Sequence, residues 1–269
     1  MKKKIKIGAL ISGGGTNLQA IIDACESNRI DGEMVFVGSD VLGAGGLERS
    51  RRHGIPHFVV DYGAIIRNFR QHPESVLLPP DFKMAEAVSR QSLFRPDAPA
   101  KTIEFFLATR AIAEAALLKS MAAYSYDLLV LAGFMRNLTP YFIDRVNHQG
   151  EPPRIMNIHP ALLPSFPGTD GYGDTFRHGC KIGGCTVHFI DYGEDSGPII
   201  GQRAFPIEPE DTLDTIRKKG LQEEWILYPE CIQLFAEKRL AIFIQEFTGS
   251  AGVLISRRTV RVLPPKPVI

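Results

Sequence analysis

The chain has 269 residues, 44% of them hydrophobic and 23% charged, with a formal net charge of +1. That length accommodates one large α/β domain or two small ones, and the near-neutral balance gives no field that would favour nucleic acid or a membrane surface as partner. Cys25, Cys180, Cys185 and Cys231 are scattered and form no C-x-x-C pair, which argues against a zinc ribbon and a disulfide scaffold. The basic start Met1-Lys2-Lys3-Lys4 leads into an apolar run that Lys6 interrupts, too short and polar for a signal peptide, and no later stretch is long enough to span a bilayer. The expected setting is reducing and cytoplasmic.

In chain order, Ile5 to Ile11 reads as a buried first strand that stops at Ser12-Gly13-Gly14-Gly15. Leu18, Ile21, Ile22 and Cys25 then form a helical stripe within Asn17 to Cys25. Met34 to Val37 and His57 to Val60 are strand candidates, with a basic helical segment from Gly46 to His53 between them. From Tyr62 to about Phe106 the pattern breaks down among prolines at 73, 79, 80, 96 and 99; a stretch of this length is expected to be a lid or a separately folded excursion. Thr109 to Ser125 reads as an alanine- and leucine-rich helix, Asp127 to Leu131 as a buried strand, and Pro140 to Val146 as a helix. Strands follow at Arg154 to Asn157, Gly184 to Ile190 and Pro198 to Ile207. Asp211 to Leu240 carries the pattern of one long helix or two, with Pro229 interrupting or kinking it. Ala241 to Ile244 and Val253 to Val262 suggest a terminal hairpin. Strands alternating with helices predict an α/β fold: a doubly wound, mostly parallel Rossmann-like sheet with ligands at the carboxyl ends of its strands.

Three features can carry chemistry. Ser12 to Asn17 lies between a strand and a helix start, where glycines admit close approach of an anion and the helix N-terminus offers N–H donors. Its spacing is neither G-x-x-x-x-G-K-[ST] nor G-x-G-x-x-G, so neither a nucleoside triphosphate nor a dinucleotide is favoured; a plain strand-to-helix turn is the bland alternative. Asn157-Ile158-His159-Pro160 follows a strand, and alternation directs Asn157 and His159 to the same side, as an oxyanion site requires. His188 to Pro198 ends a strand in an acidic cluster closed by Gly197-Pro198. One of its carboxylates could pair with His159, raise its pKa or relay protons through water. Asp191 and Glu194 read as solvated turn residues.

Together these features resemble the phosphoribosylglycinamide formyltransferase family of purine biosynthesis. The matching residues are Ile-Ser-Gly-Gly-Gly-Thr-Asn-Leu-Gln-Ala-Ile-Ile-Asp-Ala-Cys (11–25), Val-Leu-Ala-Gly-Phe-Met-Arg (130–136), Asn-Ile-His-Pro-Ala-Leu-Leu-Pro (157–164), Gly-Cys-Thr-Val-His-Phe-Ile-Asp (184–191) and Asp-Ser-Gly-Pro-Ile-Ile (195–200). The resemblance implies a formyltransferase domain over 1–240, interrupted by an insertion at about 62–106, with a C-terminal extension at 241–269. It implies 10-formyltetrahydrofolate as cosubstrate, glycinamide ribonucleotide as acceptor and no metal. Asn157, His159 and Asp195 match the family's catalytic trio. Gly15, Thr16 and Asn17 match its contact to the substrate phosphate, and Glu224 a ribose or amine contact. Met135, Arg136, Asn137 and Leu138, with Asn157, match the folate pocket, and Arg110 a further folate contact.

The chain also departs from that family. Gly168-Thr169-Asp170-Gly171-Tyr172 stands where Gly-Leu-His-x-His is usual, so Asp170 replaces a histidine that supports the catalytic carboxylate; two nearby acids are expected to repel and raise one pKa. Trp225 replaces a histidine before the Tyr228-Pro229 pair. The 62–106 stretch is roughly 40 residues longer than the corresponding loop, beyond the ordinary range. Competing readings are formyltetrahydrofolate hydrolase, methionyl-tRNA formyltransferase, a nucleotide-sugar formyltransferase, and a non-catalytic folate-binding homologue. The sequence leaves a homodimer open.

Overall fold

The computed structural model describes residues 3–147, 152–249 and 252–265. Met1 and Lys2 of the basic start, and residues 250, 251 and 266–269 of the expected extension, lie outside them.

The first apolar run forms β1 (Ile5–Ile11), whose last five residues are all buried. It sits inside a seven-stranded sheet with β2 (Gly32–Ser39), β3 (His57–Val59), β4 (Leu128–Leu131), β5 (Ile155–His159), β6 (Ile182–Phe189) and β7 (Ile199–Pro206), in the order β3-β2-β1-β4-β5-β6-β7. The pairings from β3 through to β5 are parallel, and β6 and β7 add antiparallel. Burial on both faces explains the continuous apolar runs of the inner strands. All four residues of β4 are buried, consistent with its place at the centre.

Helices cover the two faces: α1 (Thr16–Glu26), α2 (Gly45–Arg52), α3 (Tyr62–Gln71), α4 (Met84–Arg90), α5 (Ala100–Met121), α6 (Pro140–Val146), α7 (Gly171–Arg177) and α8 (Leu213–Ala236). Two large apolar clusters follow. One joins β1, α1, β5, β6 and α8, and the other joins β4, α5 and α6 with Phe36 and Tyr62. Gly15 is the residue on which α1 depends. Its φ of 71° is left-handed, and a Cβ there would lie 2.7 Å from the Cα of Gly46 at the start of α2, so only glycine lets the two helix ends meet.

The structure departs from the sequence reading, or narrows it, in four places. The stretch 62–106 is largely helical, holding α3, α4 and the first turns of α5, with a small apolar cluster of its own around Ala87, Ile103 and Leu107. The helix expected from Thr109 begins at Ala100 and ends at Met121. Pro229 does not divide the last helix, and α8 runs 24 residues through it, opened by a capping box of Thr212 and Thr215. The segment after Gly168, left without an element in the sequence reading, forms α7. The terminal hairpin pairs β8 (Leu240–Thr248) with β9 (Leu254–Val262) as a separate two-stranded sheet. Leu240, Ile242 and Val260 tie it to the main core. Among the described residues, no helix is long and apolar enough to cross a membrane.

Candidate active site

The carboxyl ends of β4 and β5 open into a cavity of about 320 Å³, which is where a parallel sheet offers free strand ends to a ligand. Asn157, His159 and Asp195 all line it, as do Asn17, Glu224, Arg110 and the turn Gly133 to Leu138. Gly15 and Thr16 are not among its lining residues: Gly15 is buried against α2 and Thr16 is exposed.

Asn157 and His159 are alternate residues of β5, so both project to one side of the strand end. Asp195 arrives from the turn after β6 in a left-handed conformation, φ 49°. Its Oδ2 lies 3.1 Å from His159 Nδ1 and accepts the Gly168 N–H at 2.9 Å. His159 Nε2 lies 2.8 Å from the Phe166 carbonyl. A carbonyl only accepts, and the carboxylate accepts at the other nitrogen, so both ring nitrogens carry protons and the ring is a cation. Burial works against that charge, but the Asp195 hydrogen bond and its negative charge outweigh burial and raise the His159 pKa above its usual value. For Asp195, burial pushes upward, yet the hydrogen bond and positive charge of His159, with the Gly168 N–H, hold it well below the usual carboxylate range.

His188 is a residue to which the sequence reading gave no role. It stands opposite Asn157 in the β5–β6 register. Its Nδ1 meets the Phe189 carbonyl at 2.9 Å, leaving Nε2 as the acceptor for the Asn157 amide Nδ2 at 3.3 Å. The same Nε2 is 3.6 Å from Asp195 Oδ1. One hydrogen of the Asn157 amide is thereby engaged and the other is left for the cavity. The signal in the sequence was the alternation of Thr186 and His188, two polar side chains at interior positions of a strand.

Glu224, on α8, is buried and receives hydrogen bonds from Asn17 Nδ2 and the Tyr172 hydroxyl, each at 2.6 Å. Burial raises its pKa, and those two donors moderate the rise. Gly220, one turn earlier, makes room: a Cβ there would lie 2.3 Å from the Tyr172 hydroxyl. The turn after β4 is tied to the glycine loop by Met135 N–H to Ser12 Oγ, 2.8 Å, and to the acidic turn by Asn137 Nδ2 to Glu194, 3.2 Å. Leu138 is buried beneath this turn and Met135 is exposed. Arg136 pairs with the buried Asp40 at 2.5 Å. Arg110 stacks 4.6 Å from the Phe106 ring centre and 5.5 Å from that of Tyr62, and its Nε has no hydrogen-bond partner among the described residues.

One expectation from the departures needs correction. Asp170 does not crowd Asp195. Its carboxylate lies 2.9 Å from Arg177 and 3.3 Å from Arg217, and the Arg177 hydrogen bond is the largest influence in lowering its pKa rather than raising it. The second histidine beside the Asp195 carboxylate is His188. Trp225 is 37% exposed and does not line the cavity.

A cavity at the strand ends, holding a cationic imidazole, a carboxylate and an amide together, is the arrangement of a group-transfer site that stabilises a developing oxyanion. The formyl transferase family model matches residues 5–232, and the chain belongs to that family. It is 34% identical over 236 residues to the phosphoribosylglycinamide formyltransferase of Escherichia coli (strain K12), covering 88% of this chain and 89% of that protein. The enzyme of the same name from Haemophilus influenzae is 34% identical over 237 residues, covering 88% and 90%. Among solved structures, glycinamide ribonucleotide transformylase 1 from Symbiobacterium toebii superimposes with a TM-score of 0.70 at 38% identity, covering 98% of this chain and 96% of that one.

Proposed function

We propose that this chain transfers the formyl group of 10-formyltetrahydrofolate to the amine of glycinamide ribonucleotide, a step of purine biosynthesis. The observation that carries the reading is the meeting of Asn157, His159 and Asp195 on one cavity, with the imidazole held as a cation. In this reading the amine nitrogen attacks the formyl carbon and the carbonyl oxygen becomes an oxyanion. The remaining Asn157 N–H donates to that oxygen. His159 has both N–H groups committed to Asp195 and Phe166, so it acts through its charge. Asp195 keeps that charge in place and relays the proton of the attacking amine to the folate nitrogen as the bond to the formyl carbon breaks.

Substrate holding divides between two groups. Gly15, Thr16 and Asn17, at the head of α1, take the substrate phosphate with helix-end N–H groups, and Glu224 takes the ribose or amine. The Met135 to Leu138 turn takes the folate ring, and Arg110, a guanidinium resting on aromatic rings, suits the folate carboxylates. Residues 1–240 form one formyltransferase domain interrupted at 62–106, and 241–269 extend it; the packing of Ile242 and Val260 on the main core supports this. The setting is cytoplasmic, consistent with four cysteines that are all unpaired. The reading admits a homodimer, which sedimentation velocity tests: a single species of one-chain mass removes it.

Purified protein mixed with both substrates should deformylate the folate, followed by absorbance, only when the amine is present. Turnover with water alone and none with the amine would move the assignment to a hydrolase.

A further inference from the structure

Among the described residues, Leu93 is the one lining residue of the cavity that the 62–106 stretch contributes. It does not get there by chance of a loose loop. Gln91 closes the turn after α4, its side-chain oxygen accepting the N–H groups of Leu93 and Phe94 at 2.9 and 3.0 Å. Ser92 is bridged to Gly193, with its N–H donating to the Tyr192 carbonyl at 3.0 Å. Arg90, at the end of α4, lies 2.7 Å from Asp144 and 5.0 Å over the Tyr192 ring, and Tyr192 donates to Asp144 at 2.5 Å. The turn is therefore fastened to the segment 190–195 that carries Asp195. On its inner side Phe94 packs edge-on against Phe106, 5.2 Å between ring centres, and Phe106 is the ring on which Arg110 rests.

We infer that the segment from α4 to Phe94 is a wall of the folate part of the cavity, and that Leu93 is a specificity-determining residue for the flat aromatic middle of the folate. The inference rests on the functional reading above. Much of the folate-side lining is charged or amide-bearing, with Arg110, Arg136, Asn137 and Glu194 among the lining residues, so an apolar surface from outside the sheet adds contact where a conjugated ring would otherwise face water. Because the same small apolar cluster seats Phe94 and Phe106, the wall and the Arg110 guanidinium move together. Arg90 is a positioning residue, acting on the ligand only through the turn it anchors.

The test is calorimetric binding of 10-formyltetrahydrofolate to the full chain without the amine, alongside kinetics with both substrates. Leu93→Ala should weaken folate binding about five- to tenfold, the loss of roughly two buried methylene contacts, and raise the folate KM more than it lowers kcat. Leu93→Glu should weaken it further, and Leu77→Ala, 88% exposed in the same stretch, should leave it unchanged. Arg90→Ala should weaken binding in the same direction, with a smaller effect of Leu93→Ala in its background, because an unanchored wall has less to lose. Unchanged folate affinity in both Leu93 variants, or an equal loss in Leu77→Ala, overturns the inference. Folate binding without formyl transfer in the unaltered protein would sink the functional reading and leave this one standing on its binding constants. No folate binding at all would sink both.

Discussion

At the strand ends, His159 has both nitrogens paired, Asp195 is held by an imidazole and a backbone N–H, and Asn157 is oriented by His188. Around this centre the cavity is built differently. Among the described residues, Asn17 Oδ1, Asp40 Oδ1, Tyr62 OH and Arg110 Nε are buried without a hydrogen-bond partner, and all four belong to residues that line the cavity or touch the guanidiniums that do. A buried polar atom left unpaired costs about 1–3 kcal/mol. The contrast teaches a division of labour: the reacting groups are fixed in advance, as electrostatic stabilisation of a transition state requires, whereas the surrounding groups keep hydrogen-bonding capacity that binding can use.

The strongest attempt to break this comparison is aimed at the centre. His159→Ala should lower kcat by about 10³–10⁴, combining loss of the cation with loss of the partner that holds Asp195 for the proton relay, and leave folate affinity within a few-fold. Asp195→Asn should fall almost as far, and it carries a sign that can be read separately. With the carboxylate gone, only the Phe166 carbonyl and the Glu224 charge still oppose burial, so the His159 pKa should fall. An NMR titration of the ring should show that downward move, and an unmoved or higher value would refute the pairing. In the unaltered chain, the pair's contribution to stability is complete between about pH 4 and 6.5. It is lost on the alkaline side as pH rises through the raised His159 pKa, and on the acid side as pH falls through the lowered Asp195 pKa.

Asn157→Ala comes next, with an expected loss of about 10²–10³ in kcat from one oxyanion donor. The KM values should change little, because the donor acts on charge that develops only during reaction. A variant that raised KM and kept kcat would place Asn157 with the substrate-holding groups instead.

Glu224→Gln probes the surrounding region, and there the effect should fall on binding. The KM for the amine substrate should rise by roughly tenfold or more, the loss of hydrogen bonding to a charged group, with a smaller change in kcat. Stability should move the other way. Burial raises the Glu224 pKa in the folded chain, so its charge works against folding as pH rises above about 4.3. The glutamine removes that opposition, and thermal unfolding should show a gain at neutral pH that disappears in acid. Equal stability at all pH values would mean that folding leaves the carboxyl's pKa where the unfolded chain has it.

The two regions also differed in how much their residues disclosed. β4 and β1 are written as unbroken apolar runs because parallel strands are covered on both faces, and the alternation of Asn157 and His159 at a strand end placed them together. His188 was on the page but had no reading, since its partner is the residue across the register, and register is a tertiary fact. The 62–106 stretch resisted for another reason. Its helices are short, its prolines mark turns between them, and α3 buries Tyr62 alone, so no long apolar stripe forms for periodicity to detect. Asp170 was misjudged because its neighbours in space, Arg177 and Arg217, lie on two helices, one of them distant in sequence and the other not foreseen.

That misjudgement yields the smallest and most discriminating expectation. If Asp170 pressed on Asp195, as a carboxylate standing in for a supporting histidine would, its removal should move the pH profile and speed or slow the reaction several-fold. The two guanidiniums say otherwise. They neutralise Asp170 on an exposed rim, where ion pairs contribute little and are screened by salt, and the carboxylate beside His159 takes its second imidazole from β6 instead. Asp170→Asn should therefore leave kcat, both KM values and the pH profile within about twofold, while Asp195→Asn in the same assay shifts all of them. A displaced alkaline limb in Asp170→Asn would restore electrostatic coupling between the two acids and would make the rim part of the reaction centre.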